Sequence, residues 1–584
     1  MGNMRCQNCN IRGPKLFYKK AYDYPKNCNK IKEGDILVCA YCKEQFEESE
    51  NILKRIIDSR SEFRLVIGGP GTGKTYLFKS LIEDLPEGSK VLVITFINNL
   101  VEGLNEQLSQ IVGRDVSVRT LHSFCKGFLL GGVHGYEYFP ELPKIVERDA
   151  AFLEVAFSKG GLSHEIANIE REGSNLRFFL SRAEYYDAVS HNDAVYRVYL
   201  YLKEHLEKIP KYAFVIIDEY QDFNSIEANI IGLLAKNNKI VISGDDDQAL
   251  YRFKSASPEF IRDLYKNADT DKHFLVYCRR CTAALVKATD AFINKAEKCN
   301  LLKNRIPKNF KCYWPDKFDD SRNNPKIILG KCSTDLVAAK YIKKRILEIV
   351  DRERIQPRSD LEPEFLIIGP SKISHYLRDV HKVLTDANDI NPDIYEIEYK
   401  KERETITVND GYELVKENPT SNLGWRIILY CDHPDADKEK EIIHESLNGK
   451  TIAELLPAEY RKKHMDIAKS TSGEDGKKPS EGVTKKIRIR LTSYLGAKGL
   501  SANHVFVLGL INGILPENPY KVSDDEVCQF IVLLTRARRS LSLIVCKSFD
   551  RKKKISKENL STFVSMIPRQ LLEIIDNIRA SDVR

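Results

Sequence analysis

A glycine-rich loop that ends in lysine and threonine is the first group of residues whose spacing could do chemistry. The run FRLVIGGPGTGKT, which begins at Phe63, fits the pattern G-x-x-x-x-G-K-[ST], in which backbone N–H groups wrap a polyphosphate. Lys74 would contact the β and γ phosphates, and the Thr75 hydroxyl would bind Mg2+. The spacing predicts a site for a nucleoside triphosphate and Mg2+, formed by Gly68, Gly69, Pro70, Gly71, Thr72, Gly73, Lys74 and Thr75.

Two clusters of polar residues follow apolar runs that are typical of buried strands. Asp218 and Glu219 come directly after FVII, and Gln248 follows KIVIS by a few residues. Side chains at the C-terminal ends of parallel strands face the crevice in which open α/β sheets bind ligands. We expect Asp218 to hold Mg2+, Glu219 to take a proton from the attacking water, and Gln248 to orient that water or contact the γ phosphate. Taken alone, an acidic strand end fits a structural role equally well.

These residues must be positioned by parallel strands, and the apolar runs in the sequence are the candidates for those strands. Such runs are apolar at nearly every position, as expected of strands that are covered on both faces. Residues 129–207 instead show aromatic and charged residues at helical spacing, which predicts a helical insertion. The candidate strands of a first sheet and then of a second are Leu65–Ile67, Val91–Thr95, Phe214–Ile217, Lys239–Ser243, Lys326–Leu329 and Phe365–Ile368.

Length and composition limit the class of protein. The chain has 584 residues, of which 42% are hydrophobic, and a formal net charge of +8. A chain of this length exceeds one hydrophobic core, so we expect several globular domains. The mild basic surplus permits nucleic-acid binding without requiring it. No apolar run approaches the roughly 18 residues that span a bilayer and no secretory leader is present, so we expect a cytoplasmic protein without membrane contact.

Two C-x-x-C pairs near the start of the chain have the spacing of a four-cysteine zinc ribbon. Each pair would offer two thiolates to one tetrahedral Zn2+. The alternative is a set of free thiols in a flexible leader. A third C-x-x-C, Cys278 and Cys281, has no second pair near it in sequence, and we interpret its spacing as incidental. The predicted zinc ligands are Cys6, Cys9, Cys39 and Cys42.

The motifs taken together resemble the UvrD/Rep-like superfamily 1 DNA helicases. After the phosphate loop come TFINN, TLHSF, IIDEYQD and GDDDQALYRF, and the second half adds YCRRC, LTSYLGAKGLSANHVFVLG and FIVLLTRARRSL, in the order typical of that family. The motifs span roughly residues 64 to 545. The resemblance implies two RecA-like α/β motor domains with ATP bound in the cleft between them.

The resemblance also implies roles for individual residues. Lys498 and Gly499 match the motif that couples the nucleotide site to the DNA track. Arg536 matches the arginine finger, and in YCRRC the alignment favours Arg280 over Arg279 as the second arginine. The implied catalytic set is Lys74, Asp218, Glu219, Gln248, Arg280 and Arg536. The implied DNA-contacting set is Phe96, Asn98, His122, Tyr251 and Phe253.

Four departures from the family pattern affect particular contacts. The upstream glutamine that reads adenine has no match in Glu50–Leu53, and Arg279 or Cys278 stands where an aromatic residue stacks on the base. Ser501 replaces a glutamate that contacts ribose. Phe253 replaces a tryptophan, a change that preserves stacking.

The expected fold class is α/β, with two RecA-like motor domains, mostly helical insertions and a small zinc-binding segment. We expect residues 1–46 to form the zinc segment and residues 47–282 to form the first motor domain, with its insertion at about 129–207. Residues 283–584 would form the second motor domain, with a reduced insertion at about 376–484.

The resemblance implies ATP-dependent movement along single-stranded DNA, 3-prime to 5-prime, with unwinding of forked DNA. The alternative is a translocase that does not unwind duplexes, or an ATPase motor subunit of a repair or phage-defence complex, with a nuclease or another such protein as partner. A zinc-tethered adaptor with a merely structural nucleotide site conflicts with the intact ATP residues. A small-molecule P-loop kinase leaves DEYQD, GDDDQ and TRAR unexplained.

Overall fold

The computed structural model of the chain describes most of its length. The described residues are 16–20, 35–96, 98–108, 110–132, 135–168, 173–252, 255–360, 362–371, 374–386, 389–399, 406–432, 435–470, 485–546, 548–550, 555–557 and 560–583. Among these residues, no helix combines the length and the apolar character that crossing a bilayer requires.

Strands and helices alternate along the chain. The strands are β1 (Leu16–Lys20), β2 (Asp35–Cys39), β3 (Phe63–Gly68), β4 (Lys90–Thr95), β5 (Asp115–Thr120), β6 (Glu137–Tyr138), β7 (Ala188–Val189), β8 (Phe214–Ile217), β9 (Ile240–Gly244), β10 (Asp271–Leu275), β11 (Tyr277–Cys278), β12 (Lys311–Cys312), β13 (Ile327–Cys332), β14 (Phe365–Gly369), β15 (Tyr395–Glu398), β16 (Ile487–Ser493), β17 (Ala502–Leu508), β18 (Ala537–Cys546), β19 (Ser548–Asp550), β20 (Ile555–Lys557) and β21 (Leu572–Ile578). The helices are α1 (Ala40–Ile57), α2 (Lys74–Glu83), α3 (Asn98–Leu108), α4 (Leu121–Gly132), α5 (Leu142–Phe152), α6 (Lys159–Ala167), α7 (Ser174–Tyr185), α8 (His191–Glu204), α9 (Ser225–Ala235), α10 (Glu259–Lys266), α11 (Ala283–Lys298), α12 (Trp314–Asn323), α13 (Asp335–Glu353), α14 (His375–Thr385), α15 (Val408–Glu417), α16 (Asn422–Asp432), α17 (Ala436–Ser446), α18 (Ile452–Leu455), α19 (Ala458–Ser470), α20 (Asp524–Leu534) and α21 (Thr562–Met566).

The first large sheet has six parallel strands in the order β10-β3-β9-β8-β4-β5. Its central strands are apolar throughout because both faces are covered. Along β4, Val91 and Val93 pack against α1, α2 and α3, whereas Leu92 and Ile94 pack against α4 and α9. Alternate residues of one strand therefore supply two separate cores, as the pleat of a strand requires.

The second sheet has seven parallel strands in the order β15-β16-β14-β17-β18-β13-β21. Helices α13 and α14 cover one face, and α11, α20 and α21 cover the other. Two parallel sheets, each covered on both faces, confirm the predicted α/β class with two RecA-like motor domains.

The second insertion begins later than predicted. Helix α14 packs against α13, and β15 pairs with β16 at the edge of the second sheet, so residues from 375 to 398 belong to the motor domain. The predicted start at residue 376 is therefore wrong. The insertion is helical and comprises α15 to α19, residues 408–470. Near the other end of the chain, α1 runs through the boundary predicted between residues 46 and 47.

The insertions of the two motor domains share one hydrophobic core. Leu142 and Phe179 of the first insertion lie in the same cluster as Trp425 and Ile428 of the second. A buried group of charges crosses the contact: Arg426 donates to Asp149 at 2.8 Å, and to Glu439 of its own insertion at 2.8 Å. Arg182 donates to the same Asp149 at 3.0 Å. The two insertions therefore pack as one helical layer over the first sheet.

Candidate active site between the two sheets

The phosphate loop lies between β3 and α2. Gly71 and Gly73 have φ angles of 67° and 92°, a left-handed conformation that glycine adopts without strain. The Thr72 hydroxyl donates to the Gly69 carbonyl at 2.9 Å and closes the loop. Lys74 begins α2, and the half-buried Thr75 follows it in the first helical turn. The free N–H groups of this helix end and the loop can hold an anion.

The acidic pair lies at the C-terminal end of β8, as predicted. Asp218 is buried, and one of its oxygens accepts a hydrogen bond from the Ser243 hydroxyl at 2.5 Å. Glu219 has a left-handed backbone with a φ of 55°, which is uncommon outside glycine. Such strain is typical of functional sites. The carboxylate of Glu219 lies 3.2 Å from the ammonium of Lys74.

Burial and charge act in opposite directions on this pair. Burial opposes ionisation of Glu219, but the charges of Lys74 and Lys498 outweigh it and lower the pKa of Glu219 to about 2. Burial, and then the charge of Glu219, raise the pKa of Asp218 to about 6. Glu219 is therefore ionised, and a bound cation would favour the charged form of the buried Asp218 beside it.

A chain of side-chain hydrogen bonds runs from Glu219 to Gln248. Gln221 donates to Glu219 at 2.6 Å and accepts the backbone N–H of Asp245 at 2.9 Å. The carboxylate of Asp245 accepts from the side chain of Gln248 at 2.7 Å. These bonds fix the orientation of Gln248. Gln221 and Asp245 were not predicted as site residues, although both stand inside the motifs IIDEYQD and GDDDQALYRF.

Arg536, which immediately precedes β18 of the second sheet, contacts the same chain of hydrogen bonds at Gln248. Its guanidinium donates to the Gln248 side chain at 3.2 Å, to the Val532 carbonyl at 2.9 Å and to the Leu500 carbonyl at 3.2 Å. These acceptors are all uncharged. Burial, and then the nearby charge of Arg280, lower the pKa of Arg536 to about 9. Within the described part of the chain no carboxylate accepts a hydrogen bond from Arg536, and such a buried cation suits a ligand with several negative charges.

Arg280 packs directly on the phosphate loop. A Cβ atom on Gly71 would lie 2.3 Å from the Cβ of Arg280, so only glycine fits at that position. The backbone N–H of the neighbouring Arg279 donates to the Gly71 carbonyl at 2.8 Å. The structure therefore brings together Lys74, Glu219, Gln248, Arg280 and Arg536, which lie far apart in the sequence.

Lys498 joins the second sheet to the acidic motif of the first. It is buried, forms an ion pair with Asp222, and donates to the backbone carbonyl of Gln248 at 2.6 Å. Gly499 follows it with a φ of 81°. Because the Lys498 ammonium also lies 4.0 Å from Glu219, any movement of this turn changes the charge beside that carboxylate.

Lys308, whose ammonium also pairs with carboxylates near this site, was not predicted from the sequence. Its ammonium lies 2.6 Å from Asp245, 2.5 Å from Asp246 and 3.1 Å from Asp247. Three consecutive carboxylates after a buried strand require a counter-charge, and that was the available signal. Nothing in the sequence indicates that the lysine about 60 positions later provides it. Lys308 thereby attaches the segment after α11 to the loop that carries Gln248.

A pocket beside the phosphate loop lies where the base of a bound nucleotide would be expected. Arg279 is held on one side of it, with its guanidinium 4.0 Å from the centre of the Tyr313 ring and hydrogen-bonded to the Ser49 hydroxyl at 2.9 Å. A base-reading glutamine was expected near residues 50–53, whereas Ser49 is the polar residue of α1 that lines the pocket. The lining residues are Ser49, Ile52, Leu53, Thr72, Gly73, Tyr76, Leu275, Val276, Tyr277 and Arg279.

Two of the predicted DNA-contacting residues lie close together. The ring centres of Phe96 and Tyr251 are 4.9 Å apart, and the ammonium of Lys498 lies 5.5 Å from the Tyr251 ring. The His122 side chain lies 3.3 Å from that of Asn192, and its ring centre is 4.9 Å from that of His191. Asn98 begins α3, and its side chain lies outside the described part of the structure, as does all of Phe253.

The predicted zinc ligands fall at the edge of what the structure describes. Strands β1 and β2 form an antiparallel pair between the two C-x-x-C motifs. Cys39 ends β2 and Cys42 lies in the first turn of α1, both described for the backbone alone. Cys6 and Cys9 lie outside the described residues. The zinc site therefore stays a prediction.

Comparison with known proteins agrees with this geometry. A family model described as an AAA domain matches residues 53–254, from α1 to the end of the Gln248 motif. DNA helicase II of Rickettsia typhi is 22% identical over 344 residues, which cover 50% of this chain and 49% of the relative. ATP-dependent DNA helicase Rep of Buchnera aphidicola subsp. Schizaphis graminum is 24% identical over 420 residues, which cover 58% of this chain and 62% of the relative.

A shorter match involves a protein named as part of an assembly. An ATP-dependent helicase/nuclease subunit of Desulforamulus reducens is 39% identical over 67 residues, 11% of this chain and 5% of the relative. The chain spans about half the length of the curated relatives that it matches over longer segments. The two parallel sheets, the motifs at their cleft and these matches together make the chain similar to proteins named DNA helicase II and ATP-dependent DNA helicase Rep.

Proposed function

We propose that the chain is a DNA-dependent ATPase that moves along single-stranded DNA and unwinds forked DNA, in the manner of the UvrD/Rep-like helicases. The observation that carries this proposal is the contact between Arg536 and Gln248 at 3.2 Å, next to Lys74 and Glu219. Side chains from both sheets thus converge on one phosphate loop. A site divided between two sheets couples the state of the nucleotide to the relative position of the sheets.

In the proposed reaction, water attacks the γ phosphate of ATP in line with the leaving group. Lys74, Arg280 and Arg536 surround the phosphates and stabilise the charge that spreads over them in the transition state. Glu219, ionised and close to Lys74, accepts the proton of the water. Gln248, held by Asp245 and Arg536, orients the water.

The oxygen groups of Asp218 and Thr75 are suited to binding a magnesium ion. Asp218 is a buried carboxylate next to the charged Glu219, and Thr75 offers a hydroxyl in the first turn of α2. Hard oxygen ligands of this kind are those that Mg2+ binds beside substrate phosphates. When bound, Mg2+ would neutralise phosphate charge. We assign Asp218 and Thr75 as the residues that hold it.

We propose that the base of ATP lies in the pocket beside Arg279. The guanidinium face is backed by Tyr313, and its edge is held by the Ser49 hydroxyl, so it forms a flat surface on which a base can stack. None of the described residues that line the pocket has an amide side chain that could bond two neighbouring atoms on one edge of adenine. This arrangement supports stacking more strongly than discrimination between purines.

The DNA track lies beside the coupling residues in this proposal. Phe96 and Tyr251 offer adjacent aromatic rings, and base stacking on such rings is tolerant of sequence. Lys498 contacts both the Tyr251 ring and the carbonyl of Gln248. If Lys498 shifted when ATP is hydrolysed, its contact with the Tyr251 ring would therefore change.

One observation favours a variant of this function, an ATPase motor that works with a separate nuclease. The Desulforamulus protein that shares 39% identity over 67 residues is named as part of a helicase/nuclease. The second insertion, residues 408–470, is also compact and packed on the first. In this variant the chain translocates on single strands, and unwinding requires the partner.

We also propose that Cys6, Cys9, Cys39 and Cys42 bind one Zn2+. The two C-x-x-C motifs flank the antiparallel pair of β1 and β2, which brings their ends together. Metal analysis of the doubly substituted protein Cys6→Ser, Cys39→Ser should show one Zn2+ fewer per chain than wild type, with Cys299→Ser as the matched control. Equal zinc content in all three proteins would refute the site.

Phosphate release measured with and without single-stranded DNA tests the main proposal. We expect DNA to stimulate release by at least tenfold. A strand-displacement assay on forked DNA then separates the two variants, because the motor subunit would hydrolyse ATP without displacing a strand. ATP hydrolysis that is indifferent to DNA would contradict both.

A further inference from the structure

Two cysteines bracket the arginines of the YCRRC motif. Cys278 ends β11 and Cys281 lies just before α11, and the side chains of both are fully buried. The backbone N–H of Cys281 donates to the sulfur of Cys278 at 3.3 Å. The turn therefore holds the two cysteines close together, as formation of a disulfide requires.

Each thiol also contacts one half of the candidate ATP site. The thiol of Cys278 donates to the carbonyl of Pro70 in the phosphate loop at 3.2 Å. The thiol of Cys281 donates to the carbonyl of Thr535, the residue before Arg536, at 3.6 Å. The cysteine pair thus lies at the junction between the loop of the first sheet and the arginine finger of the second.

The two thiols differ in the direction in which their pKa values are shifted. Burial opposes ionisation of Cys278, but the neighbouring Cys281 side chain and nearby backbone N–H groups, with the charge of Arg280, lower the pKa of Cys278 to about 7. The neighbouring Cys278 and burial raise the pKa of Cys281 well above its usual value. A thiolate next to a protonated thiol is the combination found where one cysteine attacks an oxidant and its neighbour completes the disulfide.

We propose that Cys278 and Cys281 form a reversible oxidative modification site, at which a disulfide switches off ATP hydrolysis. The oxidant is hydrogen peroxide. The thiolate of Cys278 attacks one peroxide oxygen, the O–O bond breaks, and Cys278 becomes a sulfenic acid while hydroxide leaves. The sulfur of Cys281 then attacks the sulfur of Cys278 and displaces water. In total, two thiols lose two protons and two electrons, and one peroxide becomes two waters.

The disulfide would act on the site through the two backbone contacts. Both S–H donors disappear, so the carbonyls of Pro70 and Thr535 lose their partners. The bond also tightens the turn that carries Arg280, whose Cβ already packs against Gly71. This consequence rests on the proposed function, whereas formation of the disulfide does not. A dithiol reductant returns two electrons and two protons and restores both contacts.

The test uses the full chain exposed to hydrogen peroxide. Mass spectrometry of the non-reduced digest reads the Cys278–Cys281 disulfide directly, and DNA-stimulated phosphate release is measured on the same samples. We expect activity to fall at least tenfold in step with the disulfide and to recover with dithiothreitol. Cys299→Ser removes an exposed thiol outside the site and should be inactivated like wild type. Cys281→Ser should form no such disulfide, so peroxide should lower its hydrolysis far less than it lowers that of wild type.

Two results would overturn the inference. One is the absence of the Cys278–Cys281 disulfide at peroxide concentrations that oxidise Cys299. The other is complete formation of the disulfide with unchanged hydrolysis. A reduced protein without any DNA-stimulated hydrolysis would instead refute the proposed function, and the disulfide readout would still decide whether the modification site exists.

Discussion

The guanidinium of Arg536 donates a hydrogen bond to the side-chain oxygen of Gln248, with 3.2 Å between the two atoms. The residues belong to different sheets, because Gln248 follows β9 and Arg536 immediately precedes β18. The contact therefore crosses the cleft between the motor domains. It connects the residue proposed to orient water with the residue proposed to stabilise the transition state.

Replacing Arg536 by lysine distinguishes the effect of its positive charge from that of its forked hydrogen bonds. Arg536→Lys keeps one positive charge but loses the fork that reaches Gln248, Val532 and Leu500 together. We expect kcat to fall by about a thousandfold, the lower end of the effect of an arginine finger, with a small change in nucleotide affinity. Steady-state phosphate release and nucleotide binding measure the two effects. A normal kcat would remove Arg536 from the reaction.

Glu219→Gln tests the proposed base. The substitution preserves the shape of the side chain and removes the charge that lies 3.2 Å from Lys74. We expect ATP to bind while turnover falls by about a hundredfold or more, because proton transfer is lost. Glu83→Gln, at the exposed end of α2, is the matched control and should turn over normally. Full turnover by Glu219→Gln would assign the proton to another group.

The coupling proposal predicts a selective loss in Lys498→Met. This variant removes the ion pair with Asp222 and the hydrogen bond to the Gln248 carbonyl. We expect the stimulation of hydrolysis by single-stranded DNA to fall at least tenfold, and basal hydrolysis to fall less. The exposed Lys521→Met should behave as wild type. Equal losses with and without DNA would assign Lys498 to the ATP site alone.

The base pocket predicts an effect confined to nucleotide affinity. Arg279→Ala removes the guanidinium held between Tyr313 and Ser49, and we expect KM for ATP to rise roughly tenfold, equal to about 1.4 kcal/mol. The value of kcat should change little. GTP should show a comparable rise, because stacking does not distinguish purines. The exposed Arg60→Ala provides the control, and an unchanged KM in Arg279→Ala would place the base elsewhere.

The contact between the two insertions predicts that losing a buried ion pair lowers the free energy of unfolding more than losing an exposed one. Arg426→Ala leaves the fully buried Asp149 and Glu439 without a shared partner, and we expect it to lower the free energy of unfolding by about 3–5 kcal/mol. Lys440→Ala breaks the exposed pair between Lys440 and Glu154, which joins the same two insertions, and should cost less than about 1 kcal/mol. Denaturant titrations measure the free energy of unfolding of both variants and of wild type. Similar losses in both variants would contradict the packing described above.

Local chemistry explains which parts of the site were predictable from the sequence. The phosphate loop, Asp218 and Glu219 each stand beside an apolar strand, so their positions follow from short segments. The convergence of Arg280 and Arg536 on the loop required family resemblance, because no local pattern relates them. Lys308 was missed since its three carboxylate partners lie about 60 residues away.

The limits of the insertions were harder to predict for a different reason. Strand β15, with the sequence YEIE, lies at a sheet edge and is only partly buried, so it lacks the continuous apolar run of a central strand. The shared core of the two insertions is built from residues such as Phe179 and Trp425, which lie far apart in the chain. Periodicity identifies such helices but does not indicate which helix each one contacts.

DNA-stimulated phosphate release by Lys74→Ala and Arg536→Ala, each compared with wild type, tests most directly whether one triphosphate is hydrolysed between the two sheets. Lys74 belongs to the first sheet's phosphate loop, and Arg536 lies beside the second sheet. The account predicts that either substitution alone abolishes the stimulated rate while the protein remains folded. Stimulated hydrolysis that survives in Arg536→Ala at the wild-type rate would contradict it, because the first sheet would then suffice.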